Sequence, residues 1–390
     1  MNSMYYLDNN GTTQVAPEVL EAMLPFYTQH WGNPSSAHRS CRPVKEALQQ
    51  ARISIASLIN AEPDEIVFTG CGTESNNTAI HSALCSSPSK KHIITTAVEH
   101  SANRKYGQFL QRQGFDVTFL PVEEDGSLDI CMLHDMIRPD TAVVSIMWAN
   151  NETGVIFPIE EVAAICRSKE VPFHTDAIQA AGKVPLDVQS VEVDFLSLSA
   201  HKIYAPKGIG ALYVKKGTPY APYIFGGGQE SGRRAGTENV AGIVGFGRAA
   251  QMALEDTGRA GRMEILRDRM ENGILNSIPQ TSRNGCKSQR LPNTSNIAFD
   301  GVEGEALLLR LDRLGICASS GSACTTGSLE PSHVLLAMGV PHRRALSSIR
   351  FSLGHYSSEG DVDYLLKELP GIVSELRGQT PKPQSTPVAS

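Results

Sequence analysis

Val193-Asp-Phe-Leu-Ser-Leu-Ser-Ala-His-Lys-Ile-Tyr-Ala-Pro-Lys-Gly208 decides how the rest of the chain is read. An apolar run leads into a lysine, Lys202, set among small and hydroxyl residues. Upstream, a second apolar run, Val171-Pro-Phe-His-Thr175, leads into the acid of Asp176-Ala-Ile-Gln179. Taken singly, Lys202 reads as a surface lysine at a strand end and Asp176 as a helix cap. As a pair they match one chemistry: a pyridine-ring aldehyde needs an amine to form a Schiff base and a carboxylate to keep its ring nitrogen protonated.

Around this pair the sequence alternates strand and helix patterns from about residue 40 to 215. Val44, Ala47, Leu48, Ala51, Ile55, Leu58 and Ile59 recur at helical spacing. Short apolar runs at 65–69, 92–96, 117–120, 142–148, 171–175, 194–199 and 210–214 predict seven strands. Helical patterns around 75–84, 103–112, 129–137 and 159–168 separate many of them. Such alternation makes a mainly parallel sheet covered by helices on both faces, with ligands beyond the carboxyl ends of the strands. A glycine-rich stretch, Gly226 to Thr237, interrupts the pattern, and a long helical region follows to about Leu275. Beyond it, strands at 295–299 and 347–352 and helices at 303–314 and 362–376 predict a smaller α+β unit.

With 390 residues the chain can bury a large core, and 41% apolar and 19% charged residues are an ordinary globular balance. A net charge of −6 gives no electrostatic reason to expect nucleic acid or an anionic membrane as partner. No apolar run reaches the roughly 20 residues of a membrane span, and the N-terminus lacks the form of a signal peptide. A soluble cytoplasmic protein is expected. The eight cysteines are scattered without a Cys-x-x-Cys pair. Zinc and disulfide scaffolds are therefore not expected, and most of the thiols read as small core residues.

Five further segments carry candidate chemistry. Thr69-Gly-Cys-Gly-Thr-Glu-Ser-Asn-Asn77 follows a strand and opens a helix. Gly72 and Thr73 there suit a phosphate, although a plain capped turn reads the same way. His100, after the strand ending near Thr96, is placed to stack on a planar ring and move protons; a structural histidine is the bland alternative. Asn150-Asn151 either builds a turn or aims an amide into the site. Ala318-Ser-Ser-Gly-Ser-Ala-Cys-Thr-Thr-Gly-Ser328 is too small-sided to form core, so it reads as a mobile loop presenting the Cys324 thiol. Arg350, inside an apolar strand pattern, is either half of a buried ion pair or a fork for an amino-acid carboxylate.

With these residues the chain resembles the NifS/IscS-type cysteine desulfurases, which belong to the aminotransferase class V group of fold-type I pyridoxal-phosphate enzymes. The likeness runs nearly end to end, through Tyr6-Leu-Asp-Asn-Asn-Gly-Thr-Thr13, Gly32-Asn-Pro-Ser-Ser36, Ser199-Ala-His-Lys202, Gly226–Asn239 and Ser319-Ser-Gly-Ser-Ala-Cys324. The glycine-rich stretch looks closest to the nitrogen-fixation branch. The resemblance implies that Lys202 holds pyridoxal 5'-phosphate and shuttles the substrate α-proton. It implies that Asp176 pairs with the ring nitrogen, Gln179 with the ring hydroxyl, and that His100 stacks on the ring. Gly72, Thr73, Ser199 and His201 would bind the phosphate, with Thr237 supplied by the other subunit of a homodimer. Asn151 would serve both cofactor and substrate, sharing the substrate carboxylate with Arg350. Cys324 would receive the sulfur of L-cysteine as a persulfide, leaving alanine, and could ligate a transferred iron–sulfur cluster; no resident metal is implied.

An iron–sulfur scaffold protein, of housekeeping or nitrogenase type, is the implied acceptor, with tRNA thiolation proteins as the alternative. The implied division is a large cofactor-binding domain over 16–257, a small domain from 1–15 and 258–377 carrying the cysteine loop, and a flexible tail over 378–390. Gly11, Ala200 and Trp148 depart from the common pattern without touching a catalytic group. Selenocysteine lyase and class V aminotransferase are the alternative activities, and a non-enzymatic scaffold is the alternative outside catalysis.

Overall fold

The computed structural model of the chain describes residues 4–320 and 330–379. Its strands are β1 (Tyr5–Tyr6), β2 (Ile66–Thr69), β3 (His92–Thr96), β4 (Asp116–Leu120), β5 (Thr141–Ser145), β6 (Phe173–Asp176), β7 (Phe195–Ser199) and β8 (Gly210–Val214). After these come β9 (Thr281–Asn284), β10 (Thr294–Phe299), β11 (Ile316–Cys317) and β12 (Ser348–Ser352). The seven predicted strands form one sheet in the order β2-β8-β7-β6-β5-β3-β4, parallel except for β8, which runs antiparallel to both its neighbours.

Alternation within the strands assigns each face to its own core. Ile66 and Phe68 of β2, Ile94 of β3, Leu196 and Leu198 of β7, and Tyr213 of β8 belong to one apolar cluster. Val67, Ile93, Phe195 and Leu212, their neighbours in sequence, belong to another on the opposite face. Successive strand side chains point to opposite faces, so burial on both sides requires apolar residues at consecutive positions. A third cluster, from Leu7 through Ile297, Phe351 and Leu365, fills the C-terminal unit, where β9, β10 and β12 form an antiparallel sheet. Strand β1 pairs in parallel with β11, which ties the N-terminal segment to that unit.

The structure refines or departs from the sequence expectations in three places. The run expected to be strand through Trp148 leaves the ladder at Ser145. Ile146 and Trp148 still donate to His174 and Asp176 of β6 (3.1 and 2.9 Å), but Ala97 past β3 turns to bond Leu120 instead. The long helical region to about Leu275 consists of two helices, Val240–Glu255 and Arg259–Ser277. Asp256-Thr-Gly258 breaks it, with the Asp256 carboxylate taken by Arg259 and Arg262 at 3.3 and 2.6 Å. Among the described cysteines only Cys41 and Cys166 are buried. Cys71 lies on a turn, and Cys85 and Cys131 are exposed on their helices. No described helix is long and apolar enough to cross a membrane.

Candidate active site

Parallel strands deliver their carboxyl ends to one edge of the sheet, and there β2, β3, β6 and β7 end in Thr69, Thr96, Asp176 and Ser199. A cavity of about 270 Å³ opens along this edge and draws together residues distant in sequence, among them Gly72, His100, Asp176, Lys202 and Arg350.

Asp176 is 4% exposed. One carboxylate oxygen accepts from Asn76 Nδ2 at 2.6 Å and the other from the Ile178 backbone N–H at 3.0 Å. Burial pushes its carboxyl above the usual range, against the pull of His100, the two hydrogen bonds and Lys202. A buried carboxylate held only by neutral donors, with one side on a cavity, is suited to a cationic ring nitrogen.

Lys202 follows β7 in a single 3-10 turn, Ala200–Lys202. Its Nζ donates to the backbone carbonyls of Asn10 and Gly11, at 2.5 and 2.7 Å. The segment from Asp8 to Thr13 thus lines the cavity through Asn10 and Gly11, a role that sequence reasoning missed. Asn10 is its hub: its carbonyl also accepts from Gln179 Nε2 (3.0 Å), and its side chain donates to Asn151 O (3.1 Å) and Thr294 Oγ1 (2.8 Å). Thr12 Oγ1 meets His201 Nδ1 at 3.1 Å, and burial beside Lys202 pushes the His201 imidazole down to about 3, so it is neutral.

The helix Gly72–Ser86 begins at the cavity without a side-chain cap on its first turn, leaving backbone donors open to an anion. Small residues permit close approach. A Cβ on Gly72 would collide with Ile178 and stand 3.2 Å from Ser199 Cβ, and one on Gly210 would stand 2.7 Å from the Cys71 backbone. Glu74, an acid in this first turn, is drawn aside by Gly70 N (2.7 Å) and by Arg234 at 2.8 and 3.1 Å. Gly72, Thr73, Ser199 and His201 all line the cavity. The uncapped turn, the buried carboxylate and the amine of Lys202, lining one cavity, fit pyridoxal 5'-phosphate.

His100 both caps and faces the cavity. Its Nδ1 accepts from Ala102 N at 3.1 Å, which leaves Nε2 to carry the proton of a neutral ring. Of the paired asparagines, Asn150 builds the turn: its Oδ1 accepts from Glu152 N, Thr153 N and Thr153 Oγ1, and its Nδ2 donates to Val98 O. Asn151 lines the cavity. Arg350, 2% exposed, pairs with Asp8 at 2.6 Å, donates to Asn151 O at 3.1 Å, and lines the cavity. Its buried Nε has no hydrogen-bond partner among the described residues.

Two buried carboxylates beside this site carried no sequence signal. Glu99 accepts from Thr96 Oγ1, Asn103 Nδ2 and Met147 N, and burial pushes it up to about 7. Glu152 accepts from Ser332 Oγ at 2.5 Å and is likewise raised by burial. Thr237 is exposed and does not line its own chain's cavity. Cys324 and the tail from residue 380 lie outside the described residues.

Comparison with known proteins agrees with this geometry. The Aminotransferase class-V family matches residues 5–365. Cysteine desulfurase 2 of Trichormus variabilis is 52% identical over 379 residues, covering 97% of this chain and 95% of the relative. Cysteine desulfurase NifS of Azotobacter vinelandii is 50% identical, covering 96% and 94%. Cysteine desulfurase IscS of Clostridium botulinum is 48% identical, covering 98% and 97%. Among solved structures, a NifS-like protein superposes with a TM-score of 0.90 at 40% identity, over 96% of this chain and all of that one. SspA in complex with cysteine superposes at 0.81 with 37% identity, over 91% of this chain and 100% of that one.

Proposed function

Since the chain belongs to the aminotransferase class-V family, we propose that it is a pyridoxal-phosphate-dependent cysteine desulfurase of fold type I, converting L-cysteine to L-alanine and carrying the sulfur as a persulfide on Cys324. The observation that supports this most is the joining of Asp176, Lys202 and Arg350 in one cavity at the carboxyl edge of the sheet. The similarity to SspA in complex with cysteine supports the substrate class.

When bound, pyridoxal phosphate supplies an aldehyde for amines and a ring that accepts electrons. The chain's residues do the rest. Asp176 holds a proton at the ring-nitrogen end of the cavity. Lys202 Nζ, held by the Asn10 and Gly11 carbonyls, takes the α-proton and returns it. Arg350 and Asn151 orient the substrate carboxylate, and His100 moves protons through Nε2. Gly72, Thr73, Ser199 and His201 hold the phosphate, with Thr237 reaching in from a second copy. The Cys324 thiolate attacks the substrate sulfur; the carbon–sulfur bond breaks, a sulfur–sulfur bond forms, and the carbon gains a proton to become alanine.

The homodimer, the cytoplasmic location and an iron–sulfur scaffold as acceptor belong to the same reading. So does the division into a large domain over 16–257 and a small one from 1–15 and 258–377. The test is stoichiometric: L-cysteine yields one alanine per sulfur, with the first sulfur found on Cys324 by mass spectrometry. Undiminished persulfide in Cys324→Ala contradicts the nucleophile assignment.

A further inference from the structure

The mechanism above leaves Lys183 without a role. This lysine, 8% exposed, stands four residues past Gln179. Its Nζ donates to Gln179 Oε1 at 2.7 Å, to Gln179 O at 3.1 Å and, more weakly, to Asn10 Oδ1 at 3.5 Å. All three are oxygen acceptors for its N–H groups. No carboxylate among the described residues forms an ion pair with it. Burial, Lys202 and Arg350 all oppose its charge. A lysine amine buried there among three oxygens calls for a use.

The hydrogen-bond pattern supplies one. Lys183 Nζ donates to Gln179 Oε1, so the amide turns its oxygen toward Lys183. That choice places Nε2 on the other side, where one N–H goes to Asn10 O at 3.0 Å and the second is left for the cavity that Gln179 lines. The same Asn10 carbonyl receives Lys202 Nζ at 2.5 Å, so Lys183, Gln179, Asn10 and Lys202 form one connected chain. We propose that Lys183 is a positioning residue that fixes the Gln179 amide with its N–H toward the cavity, so that the site receives the cofactor's ring oxygen as an anion. This rests on the pyridoxal-phosphate reading and deepens it. With the amide free to rotate, the ring oxygen loses its donor part of the time and holds a shared proton more tightly. The titratable groups around the chromophore are Lys183, Lys202, Arg350, Asp176, His100 and His201.

The experiment titrates the absorbance of the full-length protein reconstituted with pyridoxal phosphate, as wild type, Lys183→Met, Gln179→Ala and the double variant. Each single change raises the pH midpoint of the lysine-bound chromophore by about one unit. The double variant shows no further rise, because Lys183 acts through Gln179. A Lys183→Met midpoint equal to wild type, or a full additional shift in the Gln179→Ala background, overturns the proposal. Should Lys183→Met fail to fold by circular dichroism, Lys183→Gln keeps a donor against Oε1. Its midpoint then stays within about 0.3 units of wild type, and a shift as large as that of Gln179→Ala overturns the proposal. A wild-type protein that forms no lysine-bound chromophore sinks the functional reading itself, and this role with it, before any variant is compared.

Discussion

Asp176→Asn exchanges one carboxylate oxygen for an amide nitrogen at almost constant volume, and its cost can be worked from the site. The apoprotein should tolerate the change. The introduced amide keeps an oxygen for the Ile178 N–H, and its new N–H₂ group finds an acceptor when the Asn76 amide rotates, because Asn76 Oδ1 is buried without a partner. A buried charge raised by desolvation is also removed, so the thermal midpoint of the apoprotein holds or rises. The loaded enzyme loses the ion pair at the ring nitrogen. Breaking a buried pair from one side costs about 3–5 kcal/mol, and each 1.4 kcal/mol is about tenfold in rate. Alanine formation from saturating L-cysteine should therefore fall by roughly two to four orders of magnitude, while the protein still binds pyridoxal phosphate through Lys202. The assay is initial-rate alanine detection beside an apoprotein melting curve. An Asp176→Asn enzyme within about threefold of wild type would refute the assignment of Asp176 to the ring nitrogen, as would an apoprotein too unstable to isolate.

Three further changes probe other parts of the site. Arg350→Lys keeps a cation for Asp8 but loses the fork, and KM for L-cysteine should rise by about tenfold to a hundredfold with a smaller change in kcat; an unchanged KM removes Arg350 from substrate binding. Glu99 has a folded pKa of about 7, above its usual 4.5, so the folded state holds this proton more tightly than the unfolded chain. Its contribution to stability is complete below about pH 4.5 and is lost as pH rises through about 7, a span worth about 3 kcal/mol. Glu99→Gln should flatten apoprotein stability across that window, and denaturant titrations with identical pH slopes in both proteins would contradict it. Gly210→Ala places a Cβ 2.7 Å from the Cys71 backbone and 2.9 Å from Leu198 O. It should cost about 1–3 kcal/mol and weaken cofactor binding by shifting the phosphate turn; unaltered cofactor affinity in equilibrium titration would show that the turn does not carry the phosphate.

The sheet was legible because its strands are buried on both faces and therefore read as short continuous apolar runs between helical patterns. Lys202 and Asp176 were legible because each is a charged residue within three positions of the end of such a run. The N-terminal lining of the site was not. Asn10 and Gly11 act there through backbone carbonyls, which every residue possesses, and β1 and β11 are two residues each, too short to show a period. Lys183 and Glu99 were hidden for a related reason: sequence shows a lysine and a glutamate, while their burial depends on contacts with Asn10 and Met147 far along the chain. Asn150 and Asn151 could not be separated in advance, because only the turn's geometry decides which amide closes it and which faces the cavity.

The central claim is that Lys202, and no other lysine, holds the cofactor aldehyde. Borohydride reduction of the pyridoxal-phosphate-loaded protein, followed by digestion and peptide mass spectrometry, tests it directly. The account predicts a pyridoxyl adduct on Lys202 alone, absent from Lys202→Ala. An adduct on Lys183, the neighbouring buried amine, or no adduct at all, would contradict it.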